Sequence, residues 1–192
     1  MNKVFAIVGP PASGKTSLVK QLLKKYGIPA LISHTTRPPK KGEQHGVDYY
    51  YVETQAFTSM PFVERATYSD HYYGLSKYEV LKKVNLYPVS VVDIDMAGFE
   101  QLKKLLGERL ESIYLLVDKD TVLSRCLLLG DSQDEIKQRI EYAENNGEFN
   151  NWQNADYVVK NNGAIETTLR QILAVMDLVT PKTTTEDVSA PG

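Results

Sequence analysis

The stretch GPPASGKT (Gly9 to Thr16) constrains this chain more than any other eight residues in it. It is preceded by the apolar run VFAIV (Val4 to Val8) and followed by SLVKQLLKKY (Ser17 to Tyr26), whose apolar residues recur at helical spacing with lysines on the opposite face. A buried strand, a glycine-containing turn and a helix are thus written consecutively, and the turn matches G-x-x-x-x-G-K-[ST]. Gly9 and Gly14 permit backbone conformations and close approaches that a side chain would block. Successive N–H groups across Pro10, Pro11, Ala12, Ser13 and Gly14, and on into Lys15, Thr16 and Ser17, then cradle phosphate oxygens at a helix N-terminus, apart from the two prolines, which have no N–H. Lys15 brings a point charge to the β- and γ-phosphates, and the Thr16 hydroxyl is a ligand for Mg²⁺. A glycine-rich connection without a ligand is the plainer reading, and the strand–turn–helix context argues against it.

The rest of the chain continues the alternation. ALISHTT (30–36), VSVVDID (89–95), SIYLLVD (112–118) and DYVVKN (156–161) read as strands, with helices at about 97–106, 121–129 and 165–179. Strands alternating with helices predict an α/β fold with a parallel sheet covered on both faces. Two regions break the rhythm. Residues 37–85 are rich in Tyr, Thr and Val, which predicts a small mixed lobe of antiparallel strands, and residues 127–152 read as a polar, helical flap. The expected organisation is a core of 1–32, 86–126 and 153–179, an acceptor lobe of 33–85, a lid of 127–152 and a disordered tail of 180–192.

Bulk properties narrow the class. The net charge of −2 over 192 residues gives no general attraction to nucleic acid or an anionic membrane. A single cysteine, Cys126, rules out an internal disulfide and fits a reducing compartment. No apolar run approaches the roughly 20 residues of a membrane span, and the N-terminus is too short in apolar length for a signal peptide. The expectation is a cytoplasmic protein, monomeric or homodimeric, acting on small molecules.

A phosphate-binding turn alone leaves ATPases, GTPases and small-molecule kinases open. No Asn-Lys-x-Asp signature follows it, so a GTPase switch is not expected. Asp93 ends an apolar strand at the carboxyl edge where α/β sheets bind ligands, and can hold Mg²⁺ through water; a strand-end or capping Asp is the alternative. SHTTRPPKKGEQHGVDYYYV (Ser33 to Val52) gathers Arg37, Lys40 and Lys41 before a tyrosine-rich strand. A solvated basic loop would look the same, although Arg is suited to forked contact with a phosphate.

At this point the chain resembles the guanylate kinase family, whose acceptor motif runs S-x-T-T-R-x-P-R-x-G-E-x-x-G-x-D-Y. FVERATYSDHYYG (62–74) resembles that family's F-[IL]-E…Y-Y-G, VVDIDMAG (91–98) its L-D-I-D-x-Q-G, and DYVVKNN (156–162) its late D-x-V-I-x-N-D strand. The resemblance extends to about residue 175 and implies a P-loop kinase core that phosphorylates GMP or dGMP with ATP and Mg²⁺. It implies Arg37 and Lys40 as acceptor-phosphate cations, where the family usually has Arg in place of Lys40, and Tyr49 and Tyr73 as hydroxyls on the same phosphate. Glu64 would accept hydrogen bonds from guanine N1–H and the 2-amino group, Ser33 would lie near O6 and Asp95 near the base. Asp93 would stand on the metal side, and Lys15, Arg37, Arg125 and Arg139 would carry the catalytic charge. Gly74 would let the backbone pass the nucleotide.

Two departures stand out. The family usually has Arg where Leu129 stands, which implies one cationic contact fewer on the ATP side. It usually has Thr or Ser at Leu75, whose hydroxyl helps bind O6. The rival readings are a kinase of the same fold acting on another nucleotide or a sugar phosphate, and a non-catalytic phosphopeptide-binding module, which would have a degraded P-loop. Acceptor attack comes from a phosphate oxygen, so no general base is required, and His34, His45 and His71 are expected to be ordinary loop or strand residues.

Overall fold

The computed structural model describes residues 1–178 apart from 69 and 131, with backbone only for Tyr68. The tail expected at 180–192 lies outside the described residues. In chain order the elements are β1 (Lys3–Val8), α1 (Lys15–Tyr26), β2 (His34–Thr35), β3 (Tyr50–Tyr51), α2 (Thr54–Thr58), β4 (Phe62–Tyr68), β5 (His71–Ser76) and α3 (Lys77–Leu86). There follow β6 (Val89–Asp93), α4 (Met96–Leu106), β7 (Leu110–Leu116), α5 (Lys119–Leu128), α6 (Gln133–Asn145), β8 (Tyr157–Lys160) and α7 (Ile165–Val175).

The strands form two sheets. The first is parallel, in the order β6-β1-β7-β8. Residues of β1 alternate between its faces. Phe5 and Ile7 join α1 and α7 through Leu18, Leu22, Leu169 and Ile172. Val4, Ala6 and Val8 join α3 and α4 through Val80, Val84, Leu102 and Leu106. This period-2 partition is why the run reads as continuously apolar: both faces of the strand are covered. A third, smaller cluster of Val117, Val122, Cys126 and Ile136 ties α5 to α6. α6 opens on a capping box, with the Glu135 N–H donating to Ser132 Oγ and the Ser132 N–H to Glu135 Oε2.

The second sheet has the order β3-β2-β5-β4 and is mixed rather than wholly antiparallel: β2 runs parallel to β3 and antiparallel to β5. The single strand expected at 30–36 is instead divided between the sheets. Ala30 bridges to Val91 of the first sheet, and His34–Thr35 enter the second. Between them the Ile32 N–H donates to Glu79 Oε1 at 3.1 Å. Glu79, on α3 and 2% exposed, thus substitutes for a strand partner where the backbone crosses from sheet to sheet. This crossing leaves a cleft between the sheets.

Candidate active site

The P-loop has the conformation its glycines require. Gly9 and Gly14 have φ of 145° and 98°. A Cβ on Gly14 would come within 2.8 Å of Asn161 Nδ2. The first helical bond runs from Leu18 N–H to the Gly14 carbonyl at 2.9 Å, so the N–H groups of Lys15, Thr16 and Ser17 precede the helical ladder. Lys15 Nζ donates to the carbonyls of Gly9 at 2.8 Å and Pro10 at 3.1 Å, holding its charge against the loop. Thr16 Oγ1 donates to Asp93 Oδ2 at 2.5 Å. The register of β6 beside β1 sets this pair, since Asp93 aligns with Ile7 at the carboxyl end of the sheet.

Ala12 is the strained member of the loop. Its φ of 53° lies in the left-handed region, where a Cβ costs roughly 1–2 kcal/mol. Ala12→Gly is expected to raise the unfolding free energy by about 1 kcal/mol, the relief of strain exceeding the added chain entropy. Urea denaturation tests this, and a lower midpoint would show that the Ala12 methyl contributes more by packing beside α5 and α6 than it costs in strain.

A cavity of about 590 Å³ opens beside the P-loop, bounded by Gly14, Lys15, Thr16, Arg125, Leu129 and Arg139, among others. A cleft of about 610 Å³ on the other side of Thr16 collects most residues assigned to the acceptor: Ser33, Arg37, Lys40, Tyr49, Tyr73 and Asp95, with Asp93 and Arg139. Arg139 borders both spaces, and so does Thr16. The two candidate arginines therefore differ. Arg125 borders the first cavity and is braced within the protein: its Nη1 donates to the carbonyls of Ala12 and Ser13 at 3.3 and 3.1 Å, and its Nη2 to that of Asn161 at 2.7 Å.

Arg37 is held by a residue to which no role was assigned from sequence. Its Nη2 donates to both oxygens of Glu43 at 3.0 Å, and Glu43 also accepts from the Lys40 N–H at 2.7 Å and the Tyr51 hydroxyl at 2.9 Å. Burial pushes the Glu43 carboxyl up, but these donors outweigh it and hold it below the usual range. The Tyr49 ring packs edge-on against Tyr73 at 5.8 Å, with the Arg37 guanidinium 5.6 Å from its centroid. Burial and the nearby Asp93 push the Tyr49 hydroxyl up to about 12, so it stays a donor at neutral pH. Asn161, also unassigned, is buried; its Nδ2 donates to the Ser13 carbonyl at 2.6 Å and its Oδ1 accepts from Thr168 at 2.7 Å. Its place in DYVVKNN was the available signal.

Glu64 lies on β4 and is not among the residues lining the cleft; burial raises its carboxyl to about 7, Asp95 adds to the rise and the Leu75 N–H opposes it. Asp95 caps α4, accepting from the Gly98 N–H at 2.7 Å. A register shift between Phe62 and Glu64 sets which face of β4 Glu64 occupies opposite Leu75.

The structure corrects the reasons given for Gly74 and Leu75. A Cβ on Gly74 would lie 2.7 Å from the Phe62 ring and 2.9 Å from the Glu64 carbonyl, so it is neighbouring protein that excludes a side chain there. Leu75 is fully buried, a member of the same core cluster as Leu31, Val80 and Ile94, and its side chain packs in the core rather than lining the cleft. Leu75→Thr is therefore expected to lose about 2–4 kcal/mol, because it removes buried carbon and buries a hydroxyl. Unchanged stability with improved recognition of GMP would return this side chain to the pocket.

The guanylate kinase family model matches residues 1–178. A guanylate kinase of Coxiella burnetii is 35% identical over 170 residues, covering 84% of this chain and 81% of that protein. One from Legionella pneumophila (strain Paris) is 32% identical over 164 residues, covering 82% and 78%. The crystal structure of guanylate kinase from Anaplasma phagocytophilum superposes with a TM-score of 0.67 at 23% identity, over 92% of this chain and 85% of that one, a likeness of fold. With a glycine-turned loop on one side of Thr16, a cluster of cations and tyrosines on the other, and a family match over residues 1–178, the chain belongs to the guanylate kinase family.

Proposed function

We propose that this enzyme transfers the γ-phosphoryl group of ATP to GMP or dGMP, giving ADP and the nucleoside diphosphate. The observation that carries the reading is the position of Arg139 and Thr16 between the two spaces: a triphosphate on the P-loop and a monophosphate among Arg37, Lys40, Tyr49 and Tyr73 would meet there. Both substrates are polyanions, so the task is to hold them in line and neutralise charge. Lys15 would reach the terminal phosphates, Arg139 the transferring group, and Arg125 would keep the loop in shape. Glu43 would orient Arg37, and Tyr49 would donate to the acceptor phosphate.

Among the described residues no group of three or more His, Cys, Asp or Glu side chains could hold a metal. The Thr16 hydroxyl and the Asp93 carboxylate converge at hydrogen-bond distance and suit Mg²⁺ carried in on the triphosphate. Mg²⁺ would neutralise charge on the β- and γ-phosphate oxygens.

Glu64, as a carboxylate, would accept from guanine N1–H and the 2-amino group. Adenine offers no N1–H, so this contact selects guanine. Residues 33–85 and 127–152 would close over the core during turnover and exclude water. No described helix is long and apolar enough to cross a membrane. We place the enzyme in the cytoplasm, as a monomer or homodimer acting on free nucleotides.

A coupled ADP-release assay over ribo- and deoxynucleoside monophosphates and ribose phosphates tests the reading. Turnover with GMP and dGMP is expected to exceed that with AMP, CMP, UMP or sugar phosphates by at least ~100-fold. A preference for another acceptor would overturn it.

A further inference from the structure

The cavity beside the P-loop is chemically divided. Lys15, Thr16 and Ser17 line it from the start of α1, with Arg125, Arg139 and Asn161 as further polar members. Leu128, Leu129, Gly163 and Ile165, from the end of α5 and the start of α7, are its apolar end. Leu128 and Leu129 are 87% and 70% exposed at the end of α5, an unusual placement for two adjacent leucines beside a nucleotide-sized cavity. Polar side chains along this wall are already committed. Arg125 donates to three backbone carbonyls, and the Asn161 amide is occupied on both sides by Ser13 and Thr168. The neighbouring Asn162 amide is engaged with Asp118, whose carboxylate accepts from its Nδ2 and whose N–H donates to its Oδ1. Arg139 lines both this cavity and the acceptor cleft.

We infer that the donor's base is held at this end by apolar contact with Leu128, Leu129 and Ile165, with no side chain reading its hydrogen-bonding edge, so that GTP replaces ATP as phosphoryl donor. The inference rests on the P-loop being the donor site, as proposed above. Adenine and guanine present opposite patterns at positions 1 and 6: acceptor and amino donor against N–H donor and carbonyl acceptor. A site that hydrogen-bonds one of these patterns rejects the other by roughly 10⁴-fold or more, whereas an apolar site discriminates by contact area alone, roughly 10- to 200-fold for a changed group. Adenine and guanine have the same two-ring face, so the apolar end treats them alike. The single ring of a pyrimidine covers less of the leucines. With GTP, a GMP phosphate oxygen forms the new bond to the γ-phosphorus as the bond from that phosphorus to the β,γ-bridging oxygen breaks, and two molecules of GDP result.

The test compares kcat/KM for ATP, GTP, CTP and UTP, followed by transfer of γ-³²P to GMP. ATP and GTP are expected within ~10-fold of each other, with CTP and UTP lower by more than ~10-fold. A preference of ~100-fold or more for ATP over GTP would overturn the inference. Leu128→Ser combined with Leu129→Ser changes two exposed side chains and is expected to raise the KM of ATP and GTP by the same factor, about tenfold, with the KM of GMP unmoved. A KM change for ATP alone, or none for either, would count against the apolar end as base site. Displacement of an N-methylanthraniloyl ATP analogue by ATP and GTP gives the same ratio without turnover. Loss of all transfer to GMP would thus overturn the acceptor reading, while the displacement ratio still decides this one.

Discussion

Replacing Lys15 with Met should lower kcat by about 10³-fold while leaving the fold intact. The magnitude follows from the role of a fixed charge beside a transferring phosphoryl group, where loss of one preorganised donor in a water-excluded site costs roughly 10²–10³ in rate. The structural cost is small for a stated reason. Among the described residues Lys15 Nζ bonds to the carbonyls of Gly9, which is half-buried and open to water, and Pro10, which is buried but keeps the Ser13 N–H as a donor at 3.2 Å. The methionine keeps the stem and the helix-forming backbone at the first position of α1. Single-turnover transfer to GMP measures the first effect and a thermal melt the second. A variant that keeps more than a tenth of the rate would remove Lys15 from the chemistry. A large drop in melting temperature would assign the loss to misfolding of the loop instead.

Glu64→Gln should cost about 10²–10³ in kcat/KM for GMP and, at pH 8, stabilise the free protein. A carboxylate accepts two hydrogens from guanine; the amide offers one acceptor and sets an N–H₂ against a donor. A hydrogen bond to a charged group contributes about 1.5–3 kcal/mol, and the variant loses the charge behind two of them. The stability effect follows from the carboxyl being raised from 4.5 to about 7, chiefly by burial and then by Asp95. A folded-state value above the unfolded one means the folded chain holds its proton more tightly. The protonated form's contribution to stability is complete below about pH 4.5 and is lost as pH rises through 7. The amide of the Glu64→Gln variant is never charged, so it escapes that loss. The same titration governs binding, with opposite sign. Guanine needs the carboxylate, the competent fraction rises about tenfold between pH 6 and 8, and the KM of GMP falls correspondingly. The GMP phosphate also titrates near this range, and the Glu64→Gln profile retains that contribution alone. A wild-type profile that matches the variant's would remove Glu64 from base recognition.

The parallel sheet was legible because its central strands are buried on both faces and so form nearly unbroken apolar runs, as Val4–Val8 does; the edge strand β8 leaves Tyr157 and Val158 exposed. The strand–turn–helix around Gly9 to Thr16 was legible because every part of it is local: two glycines, a lysine and a threonine within eight residues, where a strand passes into a helix. The segment 30–36 misled for a physical reason. Its apolar residues predict a strand, but its hydrogen-bond partners change midway from Val91 to Glu79 to the second sheet, and nothing within the segment specifies that exchange.

Site residues divide in the same way. Arg37, Lys40, Tyr49 and Tyr73 could be picked out by chemistry and by resemblance, and the cleft gathers them. Glu43 lies six residues from Arg37, yet a carboxylate in a basic loop gives no sign that it will accept from a guanidinium, a backbone N–H and a tyrosine hydroxyl at once. Asn161 lies 148 residues from the carbonyl it holds; its place in DYVVKNN marks the residue, but nothing in that stretch specifies the Ser13 carbonyl as its partner. Leu75 was placed in the pocket by its neighbours in sequence; strand pairing puts its side chain among Val80 and Ile94 instead.

The sequence by itself determined which backbone conformations were available and where charge could gather: glycines for the loop, alternation for the sheet, cations and tyrosines for a phosphate. The tertiary structure decided which of those groups are free to meet a ligand and which are spent on the protein, because that depends on contacts between residues far apart in the chain. Arg125 became a brace, Glu64 a half-buried acid near neutrality, and Leu128 and Leu129 an exposed apolar wall beside the Gly9–Thr16 loop.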